Sequence, residues 1–232
     1  MNRTCIVVAC ADERDLPAAI GWVASHRQAD VVAVAVDLGQ GWDRPTVERL
    51  ARAAGATRTH VREAGEEFAR DYALPALRTE APGARVVPMP ELGRALVARA
   101  LVEVAALEEA SAIAVEAGLE AAVAALNPSI ARMVLPSEAG VGVPHAEPGA
   151  GAKKPAGSAR VELAVEAGAP VSLNGVTMRL LELVDSLSVI SGGDGAALLR
   201  AALRSLGSDR ASGTVHLQFL HGECTLLASQ RT

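Results

Sequence analysis

The amino-terminal half of this 232-residue chain repeats one pattern, a short β-branched run followed by roughly ten to fifteen residues of helical periodicity. The runs fall at 4–9, 30–36 and 58–62, and the segments at 15–27 and 44–54 carry apolar residues at helical spacing. Strands separated by helices pair through right-handed βαβ crossovers, which implies a parallel sheet covered on both faces. The pattern continues with helices at 65–78 and 92–110, a strand at 111–115, a helix at 119–126 and a strand at 132–135. Residues 1–137 are therefore expected to form a doubly wound α/β domain.

Residues 138–158 are rich in glycine and proline, from Gly140 to Gly157, and read as a linker. Beyond them the periodicity changes. Strands are expected at 160–165 and 170–173, an Asn-Gly turn at Asn174-Gly175, helices at 177–187 and 194–206, and a closing hairpin of 213–220 with 223–228 around His221-Gly222. Residues 159–232 thus form a smaller α+β domain. A sheet of that size has few ways to cover itself, so it is expected to pack on the first domain or on a second copy.

Composition narrows the function classes. Half the residues are hydrophobic but only 2% are aromatic, and 47 are alanine, so the core is built from small side chains. Twenty-two basic residues face 27 acidic ones, and no window is strongly cationic, which argues against nucleic-acid binding. The apolar run from Cys5 to Cys10 is too short for a signal segment or a membrane span. A cytoplasmic protein with no membrane partner is expected. Cys5, Cys10 and Cys224 have no metal-ligand spacing and read as buried thiols, with a catalytic Cys10 as the alternative. His26, His60, His145, His216 and His221 are dispersed, so no metal site is expected.

Several segments, in one collinear order, resemble the argininosuccinate synthase family. The run from Val31 through Asp37-Leu38-Gly39-Gln40-Gly41 is similar to the family's second strand and its D-L-G-Q loop. Glu66-Glu67-Phe68 with Asp71-Tyr72 and Pro75-Ala76-Leu77 is similar to its E-E-F-x-x-D-Y-x-x-P-A-L helix. Leu92-Gly93-Arg94, Leu101-Val102-Glu103 and Ala125-Leu126-Asn127-Pro128 resemble its L-G-R-P, L-V-E and A-L-N-P segments. Gly168-Ala169-Pro170-Val171 with Leu173-Asn174-Gly175 resembles its G-V-P-V-x-L-N-G strand pair. The resemblance implies an adenine nucleotide alpha hydrolase-like sheet, and an ancestral activity that joins citrulline to aspartate through an adenylated intermediate using ATP and magnesium.

The catalytic segments depart from the family. Where it has A-Y-S-G-G-L-D-T-S, this chain reads Ala9-Cys10-Ala11-Asp12-Glu13-Arg14-Asp15-Leu16-Pro17, keeping only Ala9 and Asp15. Both glycines have become carboxylates, which add Cβ bulk and two negative charges where bare backbone cradles a pyrophosphate. Two unit charges 4 Å apart repel by about 4 kcal/mol at an effective dielectric near 20. The family's H-G-x-T-G-K-G-N-D-Q segment is missing after Ala114, where Val115-Glu116-Ala117-Gly118 leads directly into a helix. The citrulline tyrosine and serine align approximately with Val86 and Glu91. The chain is short for the family, and its C-terminal assembly helix has no counterpart, so a dimer is expected in place of the family's tetramer.

The residues that remain have two readings each. Asp15 is either a relic of the nucleotide loop or an acidic helix start favoured by the macrodipole. Ala9, Val36, Asp37, Gly39 and Gln40 sit at strand ends, where α/β sheets bind ligands, and the alternative is a preserved strand-to-helix turn. Arg94 faces the same cleft or is a surface arginine. Ser191-Gly192-Gly193-Asp194-Gly195 imitates a phosphate loop, but the end of one helix and the cap of the next explain it better. Trp22 reads as a core or interface anchor. At the level of function, the first reading is a non-catalytic partner subunit, scaffold or binder of a small amino-acid-like ligand, without a cofactor. The second is a repurposed enzyme acting without ATP on an amino-acid or guanidino substrate, with Asp12, Glu13 and Asp15 supplying acid–base groups or holding a cation. The third is a working synthase.

Overall fold

A computed structural model describes residues 4–9, 15–78, 89–136, 158–208, 210–220 and 223–231. Asp12, Glu13, Cys10, Val86, all but the last residue of the expected linker at 138–158 and the His221-Gly222 turn lie outside the described residues. In chain order the elements are β1 (Thr4–Ala9), α1 (Leu16–His26), β2 (Ala29–Asp37), α2 (Arg44–Ala53), β3 (Arg58–Glu63), α3 (Gly65–Phe68), a π-helical turn (Ala69–Ala73), α4 (Leu74–Arg78) and α5 (Met89–Leu107). They continue with β4 (Ala112–Val115), α6 (Ala117–Leu126), β5 (Ala131–Val134), β6 (Ser158–Glu166), β7 (Ala169–Leu173), β8 (Val176–Thr177), α7 (Leu180–Ser191), α8 (Gly195–Ser205), β9 (Gly213–Leu220) and β10 (Glu223–Arg231). No described helix is long and apolar enough to cross a membrane.

The described residues fall into two compact units. The first contains residues up to Ala64 and 89–136, and its sheet has the order β3-β2-β1-β4-β5. Every pairing in it is parallel. A parallel sheet covered on both faces needs strands apolar on both sides, and Val31 to Val36 of β2 are all buried. Leu16, Ala19, Ile20 and Val23 line one face of α1 at helical spacing and pack on Ile6, Val8, Ala33 and Ala35. The small alanines keep the helix layer close to the strands. Asp43 caps α2 by accepting from the Thr46 N–H at 3.1 Å. At the amino edge of the sheet, Glu108 accepts from Arg58 Nη2 at 2.6 Å and lies 2.7 Å from His60 Nε2, tying the end of α5 to β3.

The second unit holds Gly65 to Arg78 and the residues from Ser158 onward, around a sheet of order β10-β9-β6-β7-β8. The sequence reading puts 65–78 in the first domain; the structure groups it with the second. There Leu77 is buried, α4 packs on α8, and Arg78 Nη2 donates to the Gly168 carbonyl at 2.9 Å. The helix is also not uniform. Its π turn precedes Pro75, whose missing N–H and ring bulk disfavour a regular α turn there. The Asn174-Gly175 hairpin turn is present, with both residues left-handed (φ 52° and 76°), and it pairs Val176–Thr177 as β8. That pairing delays the helix expected from 177 until Leu180.

Gly192 ends α7 in the left-handed region (φ 65°), and Asp194 caps α8 by accepting from the Ala197 N–H at 3.0 Å. The Ser191–Gly195 segment is therefore a helix end followed by a helix start. α7 and α8 approach so closely that a Cβ on Gly195 would overlap the Val184 carbonyl oxygen, while the Gly195 N–H donates to Ser188 Oγ at 3.0 Å. Gly195→Ala is expected to cost about 2 kcal/mol or more by overpacking. Urea unfolding followed by circular dichroism checks it, and an unchanged midpoint would contradict this account of the contact.

Candidate functional site

Strand order reverses at β1: β2 and β3 lie on one side, β4 and β5 on the other. In a doubly wound sheet the crevice at such a reversal, beyond the carboxyl ends of the strands, is where ligands bind. Ala9 ends β1 in register with Val115, the last residue of β4. Both are fully buried, so they contribute backbone and not side chains. Val36 is likewise buried with its side chain in the core.

Asp15 stands at the start of α1 with 5% of its surface exposed. It occupies the N-cap position, yet its side chain makes no capping hydrogen bond to the helix. Asp15 thus stands at a helix start, where the macrodipole favours an acidic residue, without a capping hydrogen bond.

At the end of β2, the Asp37 carboxylate is committed to its own loop. Oδ1 accepts from the N–H groups of Gly39 (2.8 Å) and Gly41 (3.2 Å), and Oδ2 accepts from the Trp42 N–H (3.1 Å). Gln40 Oε1 accepts from the Leu38 N–H at 2.7 Å. Gly39 and Gly41 have φ of 116° and 76°, which a side chain would strain. Of the two readings for Asp37, Gly39 and Gln40, this geometry builds the preserved turn: the polar atoms organise backbone.

Beyond β4 the chain has one connecting residue. β4 ends at Val115, Glu116 is the N-cap of α6, and the helix begins at Ala117. Arg94 of α5 reaches this place, because a Cβ built on Gly118 would lie 3.0 Å from the Arg94 guanidinium. Gly118 is a residue that sequence reasoning did not single out. Its only signal was a lone glycine in the first turn of a helix, and the need for it becomes visible once Arg94 is seen packed over that turn. A guanidinium beside a helix start favours anions.

The named residues therefore sit along one edge but offer few free functional groups. Among the described residues no three His, Cys, Asp or Glu side chains come together as metal ligands. Cys5 and Cys224 are half-buried, and desolvation pushes both thiols above their ordinary range, which leaves them poor nucleophiles at neutral pH. Trp22 is partly buried against the core and stacks on His26 with ring centroids 4.6 Å apart.

The sheet order defines an α/β domain of the HUP class, the nucleotide alpha hydrolase-like architecture, and the chain also carries a second unit built on an antiparallel sheet. Residues 5–119 match the family model described as the Arginosuccinate synthase N-terminal HUP domain. Argininosuccinate synthase of Dictyoglomus turgidum is 36% identical over 106 residues, which is 45% of this chain and 27% of that protein. The Streptococcus thermophilus synthase is 33% identical over 139 residues, covering 56% of this chain and 34% of its own. A more extensive match, to the Bacillus subtilis synthase, is 28% identical over 248 aligned positions, 82% of this chain and 61% of that one. The chain belongs to the argininosuccinate synthase family, and it aligns with less than two thirds of the length of these relatives.

If the Asp37 carboxylate serves the loop, Asp37→Ala should lower stability by about 2 kcal/mol, because the buried Gly39 N–H and the partly buried Gly41 and Trp42 N–H groups lose their acceptor. Chemical denaturation of the unliganded variant checks this. Unchanged stability would mean that the carboxylate is held for a ligand.

Proposed function

We propose that this protein does not perform the ATP-dependent joining of citrulline to aspartate, and that it serves as a partner subunit, scaffold or binder of a small amino-acid-like molecule. The reading rests above all on the single-residue connection between β4 and α6. A ten-residue glycine- and lysine-bearing segment belongs there in the family's pattern, and Glu116 takes its place. Without that segment the lysine, asparagine and aspartate it would carry have no equivalents at this end of β4.

The sequence after β1 supports the same reading. A pyrophosphate needs close backbone approach and positive potential, whereas Asp12 and Glu13 bring side chains and negative charge. ATP with magnesium therefore does not fit these residues in the family's manner. Arg94 with the start of α6 offers a place for a carboxylate, as an amino-acid ligand would need. A homodimer or a complex with a partner protein completes this reading, in keeping with the expectation drawn for the small domain.

A pyrophosphate-release assay with citrulline, aspartate and ATP·Mg tests the proposal, and no release above a protein-free blank is expected. Sustained turnover would overturn it. Light scattering on the same sample is expected to give a mass above that of the monomer, and a clean monomer with no captured partner would remove the assembly part.

A further inference from the structure

We propose that the second unit carries a phosphate-binding pocket of its own, formed by Arg78 of α4, Arg204 near the end of α8 and the Leu206–Ser208 turn. The cavity measures about 80 Å³ and is lined by Arg78, Gly168, Arg204, Leu206, Gly207 and Ser208, among others. That is room for about five waters, or for one four-oxygen anion. It is far too small for a whole nucleotide. Arg204, Gly207 and Ser208 are exposed, so the pocket opens to solvent and the remainder of a larger phosphate ester would project outward.

Its charge is one-sided. Arg78 spends Nη2 on the Gly168 carbonyl at 2.9 Å, but its Nε–H is buried and without an acceptor. Arg204 brings a second guanidinium to the same cavity, and no described carboxylate lines it. Arg231 adds a third nearby, donating through Nε to the Leu206 carbonyl with its Nη2 against Gly207. Orphaned Nε atoms also occur at Arg132 and Arg200, but neither arginine lines this cavity. What sets Arg78 apart is that an unpaired buried donor belongs to a guanidinium that shares a solvent-open cavity with a second cation.

Guanidinium groups gathered without a counter-charge repel, and a buried N–H without an acceptor is costly. A phosphate monoester relieves the repulsion: it carries about −2 charge at pH 7, and its three terminal oxygens can accept from the Arg78 and Arg204 guanidinium groups and the Ser208 hydroxyl. The site is built wholly from second-unit residues and does not depend on the fate of the ATP loop.

Thermal-shift titration of the full chain with inorganic phosphate, and separately with ribose 5-phosphate, against sodium chloride of equal ionic strength tests the proposal. A saturable rise in midpoint with either phosphate, absent with chloride, is expected. Binding to ribose 5-phosphate alone would place the site with phosphate esters, and binding to inorganic phosphate alone with the free ion. Because Arg78→Ala also loses the Gly168 bond and can destabilise the unit, the informative variant is Arg204→Ala, which makes no structural hydrogen bond among the described residues. It should fold as the parent and weaken phosphate binding about tenfold or more. No saturable shift in the parent would overturn the site, as would Arg204→Ala binding unchanged.

Discussion

β1 is hydrogen-bonded along both sides, to β2 and to β4, and this shared strand determines where the first unit can meet a ligand. Because β2 and β3 extend the sheet one way and β4 and β5 the other, the strand order reverses at β1, the position at which doubly wound sheets bind ligands. The strand itself is buried, with Val7, Val8 and Ala9 fully covered, so its position is set by packing and not by any ligand. The scaffold can therefore persist while the chemistry at its edge changes.

What lines that edge is economical. The Asp37 carboxylate and the Gln40 amide hold backbone, β4 reaches α6 through Glu116 alone, and Arg94 lies over the first turn of that helix. The Asp37 and Gln40 contacts stabilise the turn they belong to. An enzyme edge that transfers an adenylate keeps backbone donors and cations free for the polyanion; here the charged loop after β1 and the short turn after β4 both work against that. The proposed loss of ligation would give both departures one cause.

The layout of the first unit was legible because its signals are local and strong. β1 lies where the β-branched run of 4–9 puts it, and α1 and α2 begin next to Asp15 and at Arg44, beside acidic and proline start signals. The Asn174-Gly175 turn could be read for the same reason, since two consecutive left-handed residues favour that pair. Legibility failed where tertiary packing decides. Nothing in 65–78 marks its allegiance to the second unit, because the partners of Leu77 and Arg78, α8 and Gly168, lie 90 residues or more further along. The two short residues of β8 were hidden for a related reason: a strand of that length exists only because β7 is there to pair with it. At the site, residue types located the edge, but which polar atoms were already engaged was a matter of geometry. Asp37 as a ligand group and Asp37 as a turn organiser are indistinguishable in sequence, and Gly118 acquires meaning only from Arg94.

The proposed function requires that a HUP scaffold of this family is retained while its nucleotide cradle is not. Calorimetric titration of the full chain with ATP·Mg addresses it most directly, alongside a variant with Asp12→Gly and Glu13→Gly. The account predicts no saturable heat for the parent chain up to millimolar nucleotide. Micromolar, saturable binding to the parent would contradict it.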